Sequence, residues 1–178
     1  MREQKFTQIK AAYDDYYKEL LRNGKLPLRS TELGFWNAAI TGEVFEAFRK
    51  LKLSKKSSFI DLGSGDGKVT LLASLFCSRA EGIEIDDELH HKALEIKDKL
   101  GISNVVFHHD DFNEHSIEGY DIVFINPDKP LQRGLEKKLL NELSGKLILF
   151  GHHFHPSNLV KEKEVVVDNT LVAVYNRF

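Results

Sequence analysis

DLGSGDGKV, residues 61–69, places three glycines among small and acidic residues, directly after the apolar pair Phe59-Ile60 and directly before the run VTLLASLF. Glycine at alternate positions lets a backbone turn sharply and lets another molecule come close to it. An apolar strand that ends in such a turn and passes into a helix is a ligand-holding corner of an α/β unit. The two carboxylates in the stretch, Asp61 and Asp66, restrict the charge of whatever is held there.

Outward from this corner the chain alternates. Residues 58–62 read as strand, 68–78 as helix, 80–85 as strand and 87–100 as a helix closed by Gly101. The runs 104–107 and 121–125 are β-branched or aromatic, 131–143 has a helical pattern, and 146–150 is a fifth strand. Such alternation means parallel strands joined by helical crossovers, with ligands beyond the carboxyl ends of the strands. At the C-terminus two strand-like runs, 163–167 and 170–177, are separated only by Asp168-Asn169, which leaves room for an antiparallel hairpin and nothing longer. The hairpin is expected to put at least one antiparallel strand at a sheet edge.

Upstream, Phe6, Ile9, Tyr13, Tyr16, Tyr17, Leu20 and Leu21 recur at helical spacing through residues 4–22, and Asn23-Gly24 stops the helix. A loop over 25–30 follows. A second helix is expected from near Thr31 through Trp36, Ile40, Val44, Phe45 and Phe48 to about Leu51. The reading is a single α/β domain over 1–178, with an N-terminal helical cap in 1–52. The core, 53–178, is Rossmann-like and doubly wound, a mostly parallel seven-stranded sheet with a C-terminal antiparallel hairpin.

A chain of 178 residues can bury on the order of 70% of its unfolded surface, so its core needs no covalent staples. The single cysteine, Cys77, sits in an apolar run and reads as core filling in a reducing compartment. Lys and Arg number 25 against 27 Asp and Glu, a formal charge of -2, so no global positive field recruits nucleic acid. No stretch reaches the ~20 apolar residues of a membrane span, and residues 1–20 carry charges with no signal-peptide core. A cytoplasmic protein with no membrane partner is expected. Oligomeric state leaves little trace in a sequence; a monomer is expected.

Three ligands compete for the glycine turn. A phosphate loop ends in Gly-Lys-Ser/Thr after four spacer residues, whereas Gly67-Lys68 is followed by Val69 and lies one residue too close to Gly63. The dinucleotide fingerprint G-x-G-x-x-G fails too, because Gly63, Gly65 and Gly67 give G-x-G-x-G. Charge discriminates further, since a pyrophosphate favours bare amides with no anion nearby. S-adenosylmethionine carries a sulfonium, an ammonium and one carboxylate, is net positive, and tolerates acids such as Asp61 and Asp66. The bland alternative is a glycine turn that serves only strand-to-helix geometry.

Further along, Glu84 ends the next strand, near the roughly 20-residue separation at which an acid accepts from ribose hydroxyls. Ile85 would then lie against the adenine. In HHDDF, residues 108–112, Asp111 is favoured over Asp110 to accept from the adenine amino group, and Phe112 to pack on the ring. The run DIVFINPDKP, 121–130, puts Asn126 at the carboxyl end of the central strand, beside the transferable methyl.

With FIDLGSGDGKV, GIEIDDE, HHDDF and YDIVFINP in this order, the chain from about Thr31 to Phe178 resembles the class I, seven-strand S-adenosylmethionine-dependent methyltransferases. Within them, DLGSGDGKVTLLAS, GIEIDDELHHKALE and LEKKLLNELSGKLILFGHHF are similar to the small archaeal and mitochondrial protein-lysine methyltransferases. The resemblance implies that Asp61, Gly63, Gly65, Glu84 and Asp111 bind S-adenosylmethionine; with Ser64, Ile85, Phe112, Asn126 and Trp36 they make up the expected cofactor site. The resemblance also implies that the loop holding Thr31, Gly34 and Trp36 closes over the cofactor. Two features depart from the pattern: the aromatic N-terminal helix with Tyr13, Tyr16 and Tyr17, and the polar stretch Asn126-Pro127-Asp128-Lys129.

Asn126-Pro127 is also similar to the N-P-P-aromatic signature of amino-group methylases. Here Asp128 and Lys129 fill the last two places, so a base substrate would lose the ~1–3 kcal/mol of a stacking ring. A lysine acceptor must instead shed a proton, which at neutral pH costs roughly 4.6 kcal/mol against a pKa of ~10.4 unless a desolvating channel lowers it. Asn126 and Asp128 are the candidate catalytic residues, with Trp36 or Phe154 walling the channel. A protein-lysine substrate is expected; the alternatives are a nucleic-acid or small-molecule N-methyltransferase, or a cofactor-binding module without transfer activity. His152, His153 and His155 offer no complete ligand set, and no metal is expected.

Overall fold

The computed structural model describes residues 1–131 and 134–177. Its elements are α1 (Arg2–Arg22), β1 (Leu28–Ser30), β2 (Phe35–Asn37), α2 (Thr41–Leu51), β3 (Ser58–Leu62), α3 (Lys68–Ala73) and β4 (Arg79–Glu84). They continue with α4 (Asp87–Leu100), β5 (Val105–His109), β6 (Ile122–Ile125), α5 (Leu135–Glu142), β7 (Lys146–Phe150), β8 (Val160–Val167) and β9 (Thr170–Asn176). Seven strands form one sheet in the order β5-β4-β3-β6-β7-β9-β8. The first five are mutually parallel, and β9 runs antiparallel to both β7 and β8.

The hairpin takes one edge of the sheet, as expected: β8, paired antiparallel to its neighbour, is outermost, and β9, which runs against the parallel strands, lies one place in. Composition explains the order: Val172, Ala173, Val174 and Tyr175 of β9 are buried, whereas Lys161 to Glu164 of β8 are exposed. The apolar strand takes the two-sided position, and the charged one takes the rim, where lysines and glutamates discourage further pairing.

Alternation along the strands sorts the core into two layers. Phe59 and Phe124 join Phe48 and Phe76 under α1 to α4, while Ile60, Val123, Leu147 and Leu149 pack beneath Leu135 and Leu139 of α5. Cys77 is 1% exposed in the first layer, and burial pushes its thiol up to about 12. Helix α4 is begun by Asp86, whose side chain accepts from Leu89 N at 3.0 Å, and ended by Gly101. Among the described residues no helix is long and apolar enough to cross a membrane.

Three expected elements differ. The helix expected from Thr31 starts at Thr41; residues 28–37 instead form an antiparallel hairpin of β1 and β2, turned by Thr31 N donating to Gly34 O at 2.7 Å. Helix α3 stops at Ala73, and the chain goes on in turns. The helix expected over 131–143 runs from Leu135 to Glu142, its start set by Gly134 at φ +100°; Gln132 and Arg133, like Phe178, lie outside the described residues.

Candidate functional site

The glycine turn leaves β3 at the centre of the sheet and is stitched to its neighbour strand. Ile83 O accepts from Gly63 N at 3.0 Å and from Ser64 N at 2.8 Å. Glu84 then fastens the turn with both oxygens, Oε2 accepting from Gly65 N and Oε1 from Asp86 N, each at 2.8 Å. A carboxylate has about four acceptor positions, so two remain for hydroxyls of a ligand. Gly65 holds φ +56°, and a Cβ there would run into the Trp36 indole. Only glycine meets both conditions.

The acids around the turn are buried. Asp61 is 2% exposed and accepts from Thr70 Oγ1 at 3.1 Å. Burial pushes its carboxyl up to about 8 against that hydrogen bond, and the neighbouring Glu84 and Asp66 carboxylates add to the rise. Burial likewise raises Asp66 and Glu84. Three acids that resist ionising in one place would be relieved by a cation. Ser64 Oγ is buried on the same side with no hydrogen-bond partner among the described residues. That orphaned hydroxyl and the acids fit a polar, positively charged guest.

Helix α1 reaches into this cluster. Tyr17 Oη donates to Asp66 Oδ2 at 2.5 Å, and Tyr13 Oη donates to the Asp66 carbonyl at 2.7 Å. Lys68, 3% exposed, lies beside both rings. These contacts join residues about fifty positions apart, and no local pattern announces them.

The turn forms one wall of a cavity of about 570 Å³, a size ordinary for a small-molecule site. Its lining brings together Trp36, Asp61, Gly63, Ser64, Glu84, Ile85, Phe112, Asn126 and Asp128. Gly65 lies behind the surface, under Trp36. Asp111 is not in the lining either: its Oδ1 accepts from Asn113 N at 2.7 Å and Asn113 Nδ2 at 2.8 Å, and Asn113 lines the cavity in its stead. Lys68 and Asn113 are two polar lining residues that sequence reasoning passed over. The first follows the third glycine directly, and the second adjoins Phe112.

At the mouth, Asn126 follows β6, is exposed, and has no hydrogen-bond partner among the described residues. Asp128 Oδ2 accepts from Phe35 N at 2.5 Å, and Lys129 Nζ donates to Leu33 O. Asp128 is thus committed through one oxygen to the β1–β2 hairpin, which spans the cavity between the glycine turn and residues 126–129. Gly34 makes room for the contact, since a Cβ there would lie 2.6 Å from Asp128 Oδ2. Phe154 stands outside the lining, beside His153. Among the described residues no three His, Cys, Asp or Glu side chains are grouped to hold a metal ion.

A family model described as a methyltransferase domain matches residues 53–166. No curated protein matches the chain in sequence. An RNA methyltransferase from Salinibacter ruber, solved with S-adenosyl-L-homocysteine, shares the fold with a TM-score of 0.69 and 22% identity over 78% of this chain and 92% of that one. A Pyrococcus abyssi tRNA (uracil-54, C5)-methyltransferase, also with S-adenosyl-L-homocysteine, gives 0.65 and 19% over 79% of this chain and 40% of that one. Precorrin-6y C5,15-methyltransferase from Geobacter metallireducens gives 0.64 and 15% over 83% and 92%. A parallel sheet extended by an antiparallel hairpin, a cavity at the carboxyl ends of its strands and the family match over most of the chain agree: the protein belongs to the methyltransferase-domain family and is a class I, S-adenosylmethionine-dependent methyltransferase.

Proposed function

We propose that the enzyme methylates a nitrogen on a protein, a lysine side chain, acting as a cytoplasmic monomer. The carrying observation is the acidic composition of the cavity: among the described residues Glu32, Asp61, Asp66, Glu84 and Asp128 line it, with Lys68 and Lys129 the basic ones. An ammonium entering this lining favours the ionised form of its buried acids, whereas a phosphate backbone opposes it and meets the exposed carboxylates of Glu32 and Asp128.

In this reading the turn residues Asp61, Gly63, Ser64 and Gly65 hold the amino-acid half of the cofactor. Glu84 takes the ribose, Ile85 and Phe112 flank the adenine, and Asp111 acts through the Asn113 amide that it fixes. Trp36 closes over the glycine turn. When bound, the cofactor supplies an activated methyl group. Asn126 offers its side-chain oxygen to the acceptor nitrogen, and the oxygen of Asp128 not used by Phe35 orients the incoming ammonium at the mouth. Desolvation in the cavity favours loss of the ammonium proton to solvent at the exposed mouth, which leaves the neutral, nucleophilic amine, so alignment rather than a strong base carries the step.

RNA is the second reading, since two of the structural relatives are described as RNA and tRNA methyltransferases. The charge of the lining weighs against it. Incubating the enzyme with methyl-labelled cofactor and cell extract separates the two. Label that survives nuclease, yields to protease and hydrolyses to methyllysine is expected. Label confined to nuclease-sensitive material would refute the protein substrate.

A further inference from the structure

Lys68 is 3% exposed, yet it lines the cavity and has no ion-pair partner within 4.0 Å among the described residues. Its ammonium lies 4.5 Å from the centre of the Tyr17 ring and 5.6 Å from that of Tyr13. The adjacent Asp66 spends its carboxylate elsewhere, Oδ2 on the Tyr17 hydroxyl and Oδ1 on the Lys68 backbone N–H at 3.3 Å. Burial lowers the Lys68 pKa, and the fields of Asp66 and Asp14 oppose that fall. Aromatic faces compensate a desolvated ammonium only in part, and a buried cation without a paired anion is costly. Lys129, the other lysine of the lining, is occupied by the Leu33 carbonyl.

The cavity therefore contains one buried positive charge among its acids, with its partner missing. S-adenosylmethionine has one anionic group, the carboxylate of its methionine end. We propose that Lys68 is the counter-ion of that carboxylate, and that Tyr13 and Tyr17 of α1 hold the ammonium in place for it. The assignment rests on the reading of this cavity as the cofactor site. It gives α1, which lies outside the matched residues 53–166, a part in binding: the helix supplies the walls of the carboxylate subsite.

Calorimetric titration of the full chain tests this with three ligands: S-adenosylhomocysteine, its decarboxylated analogue, and methylthioadenosine. Wild type is expected to bind the decarboxylated analogue roughly tenfold or more weakly than S-adenosylhomocysteine, the equivalent of about 1.4 kcal/mol. In Lys68→Met the affinity for S-adenosylhomocysteine should fall by the same factor, while both carboxylate-free ligands change by less than about twofold. Equal wild-type affinity with and without the carboxylate, or an equal loss for all three ligands in Lys68→Met, would overturn the assignment. Should the variant not fold, the wild-type comparison decides alone. A wild type that binds none of the three would overturn the cofactor reading of the cavity and this assignment with it.

Discussion

At the glycine turn Asp61 and Asp66 are 2% and Lys68 is 3% exposed, whereas at the mouth Asn126, Asp128 and Lys129 are all exposed. The turn is held by paired backbone bonds to Ile83 and by both oxygens of Glu84; the mouth is held by single bonds from the hairpin to Asp128 and Lys129. A ligand that never varies justifies a preorganised site, because ordering costs met during folding are not met again on binding. An acceptor delivered on another molecule needs a mouth that opens, and lightly tied segments open most readily. The contrast divides one cavity into a fixed end and a yielding end.

Glu84→Ala should break the fixed end most severely. It leaves the amides of Gly65 and Asp86 without their acceptor in the interior, and a loss of about 2–5 kcal/mol in denaturant unfolding is expected. A loss no larger than that of a surface substitution would show that the turn holds itself.

The buried acids give a second handle. The Asp61 carboxyl, pushed up to about 8 when folded and ordinarily near 3.8, holds a proton in the folded state that the unfolded chain has released. Between those values stability falls as pH rises, by at most about 1.4 kcal/mol per pH unit for this group, and Asp66 and Glu84 act in the same direction. Unfolding midpoints measured from pH 5 to 8 should fall in the wild type and fall less steeply in Asp61→Asn. Parallel slopes would remove Asp61 from the account.

The mouth should respond least. Asp128→Ala is expected to change global stability by less than about 0.5 kcal/mol, as surface substitutions do. Hydrogen exchange at the Phe35 amide should nevertheless quicken severalfold, because its acceptor is gone. If global unfolding shifted as much as in Glu84→Ala, the two ends would not differ as described.

The same contrast governs what the sequence could tell. The fixed end was legible because its demands are local: a strand ending, three glycines and acids at set separations were readable in DLGSGDGKV and GIEIDDE. The hairpin over 28–37 was not, since Trp36, Ile40 and Val44 recur every four residues and imitate a helix, although Gly34 marks the turn. Lys68 enters the sequence reading only as part of a failed phosphate-loop pattern; Tyr13 and Tyr17 bury it from a distant helix, which no local pattern shows. Asp111 and Asn113 exchanged places because a short polar loop does not show which side chain turns inward. The inner position of β9 follows from comparing the apolar content of β9 with that of β8, a comparison that a loop-length argument omits.

The most direct test of a fixed cofactor end is a nuclear magnetic resonance titration of the labelled protein with S-adenosylhomocysteine. The amides of Gly63, Ser64, Gly65, Ile85 and Asn113 should shift in saturable, one-to-one fashion, with those of the edge strand β8 unmoved. Silence at those amides, or shifts there with NAD and none with S-adenosylhomocysteine, would contradict the account.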